Sequence, residues 1–580
     1  MLTQKIKIYI LVFTAAFYLT GFAQVDPDQD FKMALRLYDE GRFAEALNKF
    51  NLVLNFYKFN TKTTASKIFV AKIFILQNKV DEAVSVLEKF LKDHPKSKYI
   101  DEANLMLASV SLKKKQYFKS AESLFRIYEE SAQPFYRNYA KFSLEKLCLN
   151  YLSSAEIKQL NDKLKKTNSK SYALLLTAKA YILEGDITLA GQAFDDLLAF
   201  YSQSEEVIEA RRRKEELSSF KNEIITEKNI VAVLFPLTDP FQSDKQNPAE
   251  EILQGIKFSI DQFNKEHQDK IGLMIRDTKG NEEEILKIKN ELDPNPDVKC
   301  IIGPVYSDEV RLALKIFKES NLPIISPTAT DDDLVSLHRN FFQANPNFKL
   351  RGKGMAQFIF HIENKRRIIV LNAIEGYSPL LAASFIEEFE KLGGRIVAKE
   401  TYQSKNISVS DIISNIAAQS SNAEGIYIPL VNKSDAPVIL SSLYQNGILL
   451  PIYGDQDWFQ VKGLENYTSL NNNLIFSSDY FIDFNEPLFA EFNKKFFERT
   501  GIEINRNVLY GYDLAEFVTT VLRNIVGGRF SVKFKMESGF IKSGYHNNIM
   551  FDEDRVNKFI NVIRYNEGVF ELIDKFKVIN

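Results

Sequence analysis

Two periodicities divide the chain. From Asp28 to about Glu227 apolar residues recur at helical spacing, and after Asp30 only Pro95 and Pro134 interrupt them. A unit repeats within this stretch: a polar turn, an aromatic or aliphatic residue, then alanine. Its copies are Glu40-Gly41-Arg42-Phe43-Ala44-Glu45-Ala46, Gln77-Asn78-Lys79-Val80-Asp81-Glu82-Ala83, Lys115-Gln116-Tyr117-Phe118-Lys119-Ser120-Ala121 and Glu184-Gly185-Asp186-Ile187-Thr188-Leu189-Ala190. The final alanines stand 37, 38 and 69 residues apart, so the last gap holds two units, with a decayed copy between Pro134 and Ser171. A small alanine lets two antiparallel helices approach, and glycine or asparagine supplies the turn between them. Each amphipathic pair must stack on its neighbours to bury its apolar stripe. The spacing predicts an all-α helical-repeat solenoid over 28–222, followed by a linker at 223–228.

From about Asn229 the pattern changes to short apolar runs of strand length: Ile230–Phe235, Ile271–Ile275, Val298–Ile302, Pro323–Ile325, Ile368–Leu371, Arg395–Ala398, Gly425–Ile428 and Pro451–Tyr453. Amphipathic segments separate them, among them Glu250–Glu266, Asp308–Ser320, Pro379–Leu392 and Asp435–Asn446. Strand followed by helix, repeated, predicts parallel sheets covered on both faces. Two such runs predict a two-lobed α/β architecture over 229–580, with any ligand beyond the carboxyl ends of the strands.

Composition narrows the function classes. The 580 residues are 45% hydrophobic and 26% charged, which is globular. A net charge of -2 offers no basic field for nucleic acid. The run Arg211-Arg212-Arg213-Lys214 is flanked by glutamates and reads as a solvated helix face. Cys148 and Cys300 are too isolated for a disulfide framework or a zinc site, and five histidines give no metal cluster. No catalytic motif stands in its proper context, so no enzyme activity, cofactor or metal is expected. Asp331-Asp332-Asp333 lacks the spaced ligands of a calcium loop and is expected at a helix start. At the N-terminus, Lys5 and Lys7 precede an apolar run from Ile8 to Leu19, and Gly21 and Ala23 frame a cleavage point. Residues 1–23 therefore read as a signal peptide, which predicts export to the periplasm. No cysteine follows them to carry a lipid.

Two resemblances then emerge. The repeat unit, with the joint His94-Pro95-Lys96-Ser97 through Ala103, resembles tetratricopeptide arrays of envelope proteins. The second half resembles type 1 periplasmic binding proteins, whose best-known members bind leucine, isoleucine and valine. The matching series runs Ile230 to Thr238, Gly255-Ile256-Lys257, Ile275 to Gly280 and Ile302-Gly303-Pro304-Val305-Tyr306-Ser307. It continues through Ile325 to Thr330, Glu375-Gly376-Tyr377, Lys391 to Gly394, Tyr510-Gly511-Tyr512-Asp513 and Phe551-Asp552.

That resemblance implies two hinged lobes closing on a small amino-acid-like ligand. It places Ser307 and Thr330, with the backbone at Thr328 and Ala329, around the carboxylate; simple helix capping is the other reading of these residues. Tyr377 matches a tyrosine that covers the ligand, and also suits an exposed loop aromatic. Asn432 stands where relatives offer another aromatic. Gln456 aligns with the acid that meets the ammonium, a role open also to Asp455 or Asp457. Trp458 is expected in the core. The resemblance implies an extracytoplasmic solute-binding protein, docked through its repeats to a transporter permease or another envelope protein. The competing reading is a non-catalytic scaffold, similar to the lipoproteins that activate peptidoglycan-synthesising penicillin-binding proteins. The chain departs from those in lacking the lipidated cysteine.

Overall fold

The computed structural model describes residues 27–56, 60–220, 223–238, 247–405, 410–484, 486–523 and 525–579; the expected signal peptide at 1–23 lies outside them. The chain forms two compact units, one running to Tyr181 and resuming at Thr188–Lys214, the other taking Ile182–Ile187 and everything from Glu215. No described helix is long and apolar enough to cross a membrane.

The helical repeats form as the spacing requires. Helices Pro27–Asp39 and Phe43–Phe56, Thr63–Leu76 and Val80–Asp93, and Ile100–Lys113 and Tyr117–Glu130 make three pairs. Ala46, Ala83, Ala121 and Ala190 are all fully buried where helices meet. The turn before each repeat alanine holds one residue in the left-handed region: Gly41, Asn78, Lys115 and Gly185. Lys115 is the exception to the glycine-or-asparagine rule and carries the cost of a Cβ in that region. The expected decayed copy is a helix pair of unequal length, 18 residues at Pro134–Tyr151 and 10 at Ser154–Lys163. Ser153 and Glu156 start the second of these with a capping box in place of a left-handed turn. One expectation fails here: Arg213 is buried, its Nε 4.0 Å from the Glu209 carboxylate one turn back. The run Arg211–Lys214 is therefore not a wholly solvated face; the helix Val207–Ser218 turns one arginine inward.

The second unit contains two sheets. Lobe 1 is five parallel strands in the order β2-β1-β3-β4-β5: β1 Asn229–Phe235, β2 Ile271–Asp277, β3 Val298–Ile302, β4 Ile324–Ser326 and β5 Phe341–Gln343. Lobe 2 has seven in the order β12-β11-β10-β9-β8-β6-β7: β6 Arg367–Ala373, β7 Arg395–Tyr402, β8 Ile426–Ile428, β9 Ile452–Gly454, β10 Leu474–Ser478, β11 Phe559–Asn566 and β12 Val569–Lys577. The wholly parallel expectation is corrected at one edge, where β11 runs antiparallel to both β10 and β12. The two-residue turn Glu567-Gly568, both at positive φ, is the hairpin connection that twisted antiparallel strands favour.

The chain crosses between lobes three times, after β5, after β10 and before β11. The second crossing returns helix Arg506–Leu522 to lobe 1, where Leu514, Phe517, Val518 and Val521 join Val231, Ile252 and Ile256 in one core. Two motif glycines make that return possible. A Cβ on Gly255 would stand 2.0 Å from the Val508 carbonyl oxygen, and one on Gly511 would stand 1.9 Å from that of Ile252. Glycines far apart in sequence thus serve one helix crossing.

Candidate ligand crevice

The parallel strands of both lobes end in loops that carry the expected site residues. In lobe 1, β3 runs into helix Ser307–Ile316, whose N-cap position is Tyr306 and whose start has no side-chain cap. Ser307 is therefore not a capping residue. Its hydroxyl is half-buried and accepts the Thr330 N–H at 3.4 Å from the next strand-to-helix loop. Thr328 and Ala329 serve that loop itself. Thr328 Oγ1 donates to the Val305 carbonyl at 2.7 Å; the Ala329 N–H donates to Ser326 Oγ at 3.2 Å, and its carbonyl accepts Gln343 Nε2 at 2.9 Å. Asp331 and Asp333 pair with Arg311, while Asp332 accepts the Lys349 N–H, just before the short helix Leu334–Leu337.

In lobe 2, the Tyr377 hydroxyl donates to Asp457, and its ring stacks on Phe348 with centroids 4.6 Å apart and planes 3° from parallel. Burial pushes Asp457 above the usual carboxylate range; the Tyr377 hydrogen bond and the charges of Arg351 and Lys433 oppose this without cancelling it. Asp455 is almost wholly buried and is pushed up further, by desolvation and then by Asp457. Its Oδ1 accepts the Leu430 N–H at 2.9 Å. Asn432 turns to its own loop, its side chain accepting the Ser434 N–H at 3.1 Å. Trp458 is fully buried and donates to the Ile428 carbonyl at 3.0 Å, as a core residue should.

The structure adds residues that the sequence did not single out. Arg351, from the first crossing, is 3% exposed. It donates to Gln456 Oε1 at 2.9 Å, to Asp479 Oδ2 at 3.0 Å and to the Pro346 carbonyl at 2.8 Å. Asn345 Nδ2 reaches Asp479 Oδ2 at 2.9 Å and the Thr328 carbonyl at 3.2 Å. Burial alone would raise Asp479, but Arg351 and the Asn345 hydrogen bond outweigh it and hold the carboxylate below its ordinary range. A buried network thus ties the lobe 1 loop at Thr328 to the lobe 2 loop at Gln456. Nothing in the sequence singles out Arg351 from Lys349 and Lys353 on the same helix, Phe348–His361, as the one that is buried. No group of three or more acidic, histidine or cysteine side chains among the described residues has metal-ligand geometry.

Two largely parallel sheets with polar loops at their carboxyl ends, joined by three crossings, define a type 1 periplasmic-binding-protein fold behind a helical-repeat region. The chain belongs to the periplasmic binding protein family, whose model matches residues 231–557. Residues 23–170 match the model of an outer membrane lipoprotein family, and 172–204 that of the tetratricopeptide repeat. No curated protein matches the sequence. Among solved structures, one described as a branched-chain amino acid ABC transporter from Rhodospirillum rubrum is similar at 19% identity and TM-score 0.52, over 60% of this chain and 100% of that one. Leucine binding protein LivK from Thermotoga maritima is similar at 19% identity and TM-score 0.41, over 60% and 99%. Full-length LpoA from Haemophilus influenzae is similar at 14% identity and TM-score 0.48, over 96% and 97%.

Proposed function

We propose that this protein is an exported, non-enzymatic receptor that captures a small amino-acid-like solute between its lobes, and that its repeats dock it to an envelope partner such as a transporter permease. The observation that carries the reading is the helix start at Ser307. Backbone N–H groups there have no side-chain cap, and a half-buried hydroxyl stands beside them, which suits a carboxylate. Across the crevice, Tyr377 and Asp457 offer an acceptor for an ammonium. Thr328, Ala329 and Asn432 shape the loops around these contacts, and Gln456 orients toward Arg351. Closure on the ligand would be read by the partner, because a ligand biases only states that it binds differently.

A second reading rests on a different observation. Arg351, Asn345, Asp479 and Gln456 already satisfy one another across the crossings, which suits a scaffold whose lobes are held without a ligand. Thermal unfolding of the full chain across the common amino acids and small carboxylates separates the two. A ligand at a hundred times its dissociation constant adds about 2.7 kcal/mol of stability. The receptor reading expects such a shift for at least one solute, and its loss in Ser307→Ala and Tyr377→Ala variants that still fold. An unmoved midpoint for every solute, with capture of a cell-wall synthase by the intact protein, would establish the scaffold.

A further inference from the structure

The lobe 2 loops carry more acidic side chains than one ammonium requires. Glu375 follows β6, Asp435 opens the helix after β8, and Asp455 and Asp457 follow β9. Tyr402, the last residue of β7, pairs with Ala373 two residues before Glu375, and Ser404 just beyond it bonds both Glu375 and Asp435. The Tyr402 hydroxyl is pushed up by burial and then by Asp435, Asp455, Glu375 and Asp457. Tyr402 is 2% exposed, yet its hydroxyl has no hydrogen-bond partner among the described residues. The same holds for Oδ2 of Asp455, which is also 2% exposed. The remaining groups are accounted for: Asp435 accepts Ser404 Oγ at 2.7 Å, and Glu375 accepts the Ser404 N–H at 3.1 Å. Arg351 is committed to Asp479 and Gln456, and Lys433 to Gln460 at 3.0 Å, while Lys405 meets Asp435 through its backbone N–H at 3.3 Å. Buried polar atoms without partners are rare, and two of them beside a group of carboxylates form a place short of a cationic donor.

Building on the receptor reading, we infer that the lobe 2 wall holds a second cation subsite, formed by Tyr402, Asp455, Glu375 and Asp435. The solute is then a basic amino acid, whose side chain carries an ammonium or guanidinium group. Such a group donates to the Asp455 and Tyr402 oxygens and favours the ionised form of Asp455, whereas an aliphatic side chain leaves both orphaned. The Ser307 side holds the carboxylate and Asp457 the α-ammonium.

Calorimetric titration of the full chain with L-lysine and L-norleucine tests this, since the two share a four-carbon side chain and differ in its terminal ammonium. The expected result is that lysine binds at least tenfold tighter. Tyr402→Phe and Glu375→Gln should each narrow the gap to threefold or less, chiefly by weakening lysine binding, with melting curves showing that both variants fold. Norleucine binding as tightly as lysine would overturn the second subsite and leave the receptor reading standing, as would a lysine preference that both variants retain. Binding of no amino acid would overturn the receptor reading, and this inference with it.

Discussion

Glu309 shows how much a single buried group can govern. It lies in the first turn of the helix at Ser307 and is 8% exposed; Thr278 donates to one oxygen while the other has no partner among the described residues. Desolvation, with a smaller contribution from Asp277, pushes its carboxyl up to about 7. The folded protein therefore keeps a proton that the unfolded chain releases near the ordinary glutamate value. The stability this group contributes is complete below about 4.5 and is lost as pH rises through about 7, a change on the order of 3 kcal/mol. Glu309→Gln keeps the shape and removes the titration. Melting temperatures of variant and wild type should coincide near pH 4.5 and separate by pH 7.5, with the variant the more stable. Equal pH profiles would contradict the assignment. Glu309 was invisible in the sequence, because desolvation belongs to a site and not to a residue type.

At the scale of elements, the helix crossing of Pro248–Glu266 on Arg506–Leu522 rests on two glycines. Gly255→Ala would drive a methyl group to 2.0 Å from the Val508 carbonyl, a backbone atom that cannot rotate away. The expected cost is about 1–3 kcal/mol, read from denaturant unfolding of the full chain. Replacing an exposed helical residue such as Lys257 should change little by comparison. The helices and most parallel strands were legible because each is a buried run or an amphipathic face. Strands β5, β10, β11 and β12 were missed: β5 offers only two apolar residues, Phe341 and Phe342, β10 ends in two serines, and polar or charged residues interrupt the apolar runs of β11 and β12. The glycine in the Glu567-Gly568 turn was the available signal for the hairpin of β11 and β12.

For the second unit as a whole, the deciding feature is where the three crossings meet. Asn345 on the first binds the Asp479 side chain of the second, and Asn547 before β11 donates to the Asp479 carbonyl at 3.5 Å. Arg351 neutralises that buried carboxylate. Arg351→Met leaves it unpaired, and the expected loss is about 3–5 kcal/mol in unfolding free energy. Arg351→Met with Asp479→Asn should recover part of that loss, because the uncompensated charge is then gone; a double variant no better than the single one would show that the arginine acts through packing alone.

The sequence by itself determined the division into repeats and lobes, the helix pairs and the buried parallel strands, because periodicity and turn chemistry are local and each residue reports its own share. It also placed Ser307, Tyr377 and Asp457 in the loops that follow β3, β6 and β9. Tertiary structure alone decided which of them meet. Arg351 reaching Gln456, Asn345 reaching Asp479 and the burial of the Tyr402 hydroxyl without a partner among the described residues all depend on chain segments tens to more than a hundred residues apart, and on a loss of water that no local pattern records.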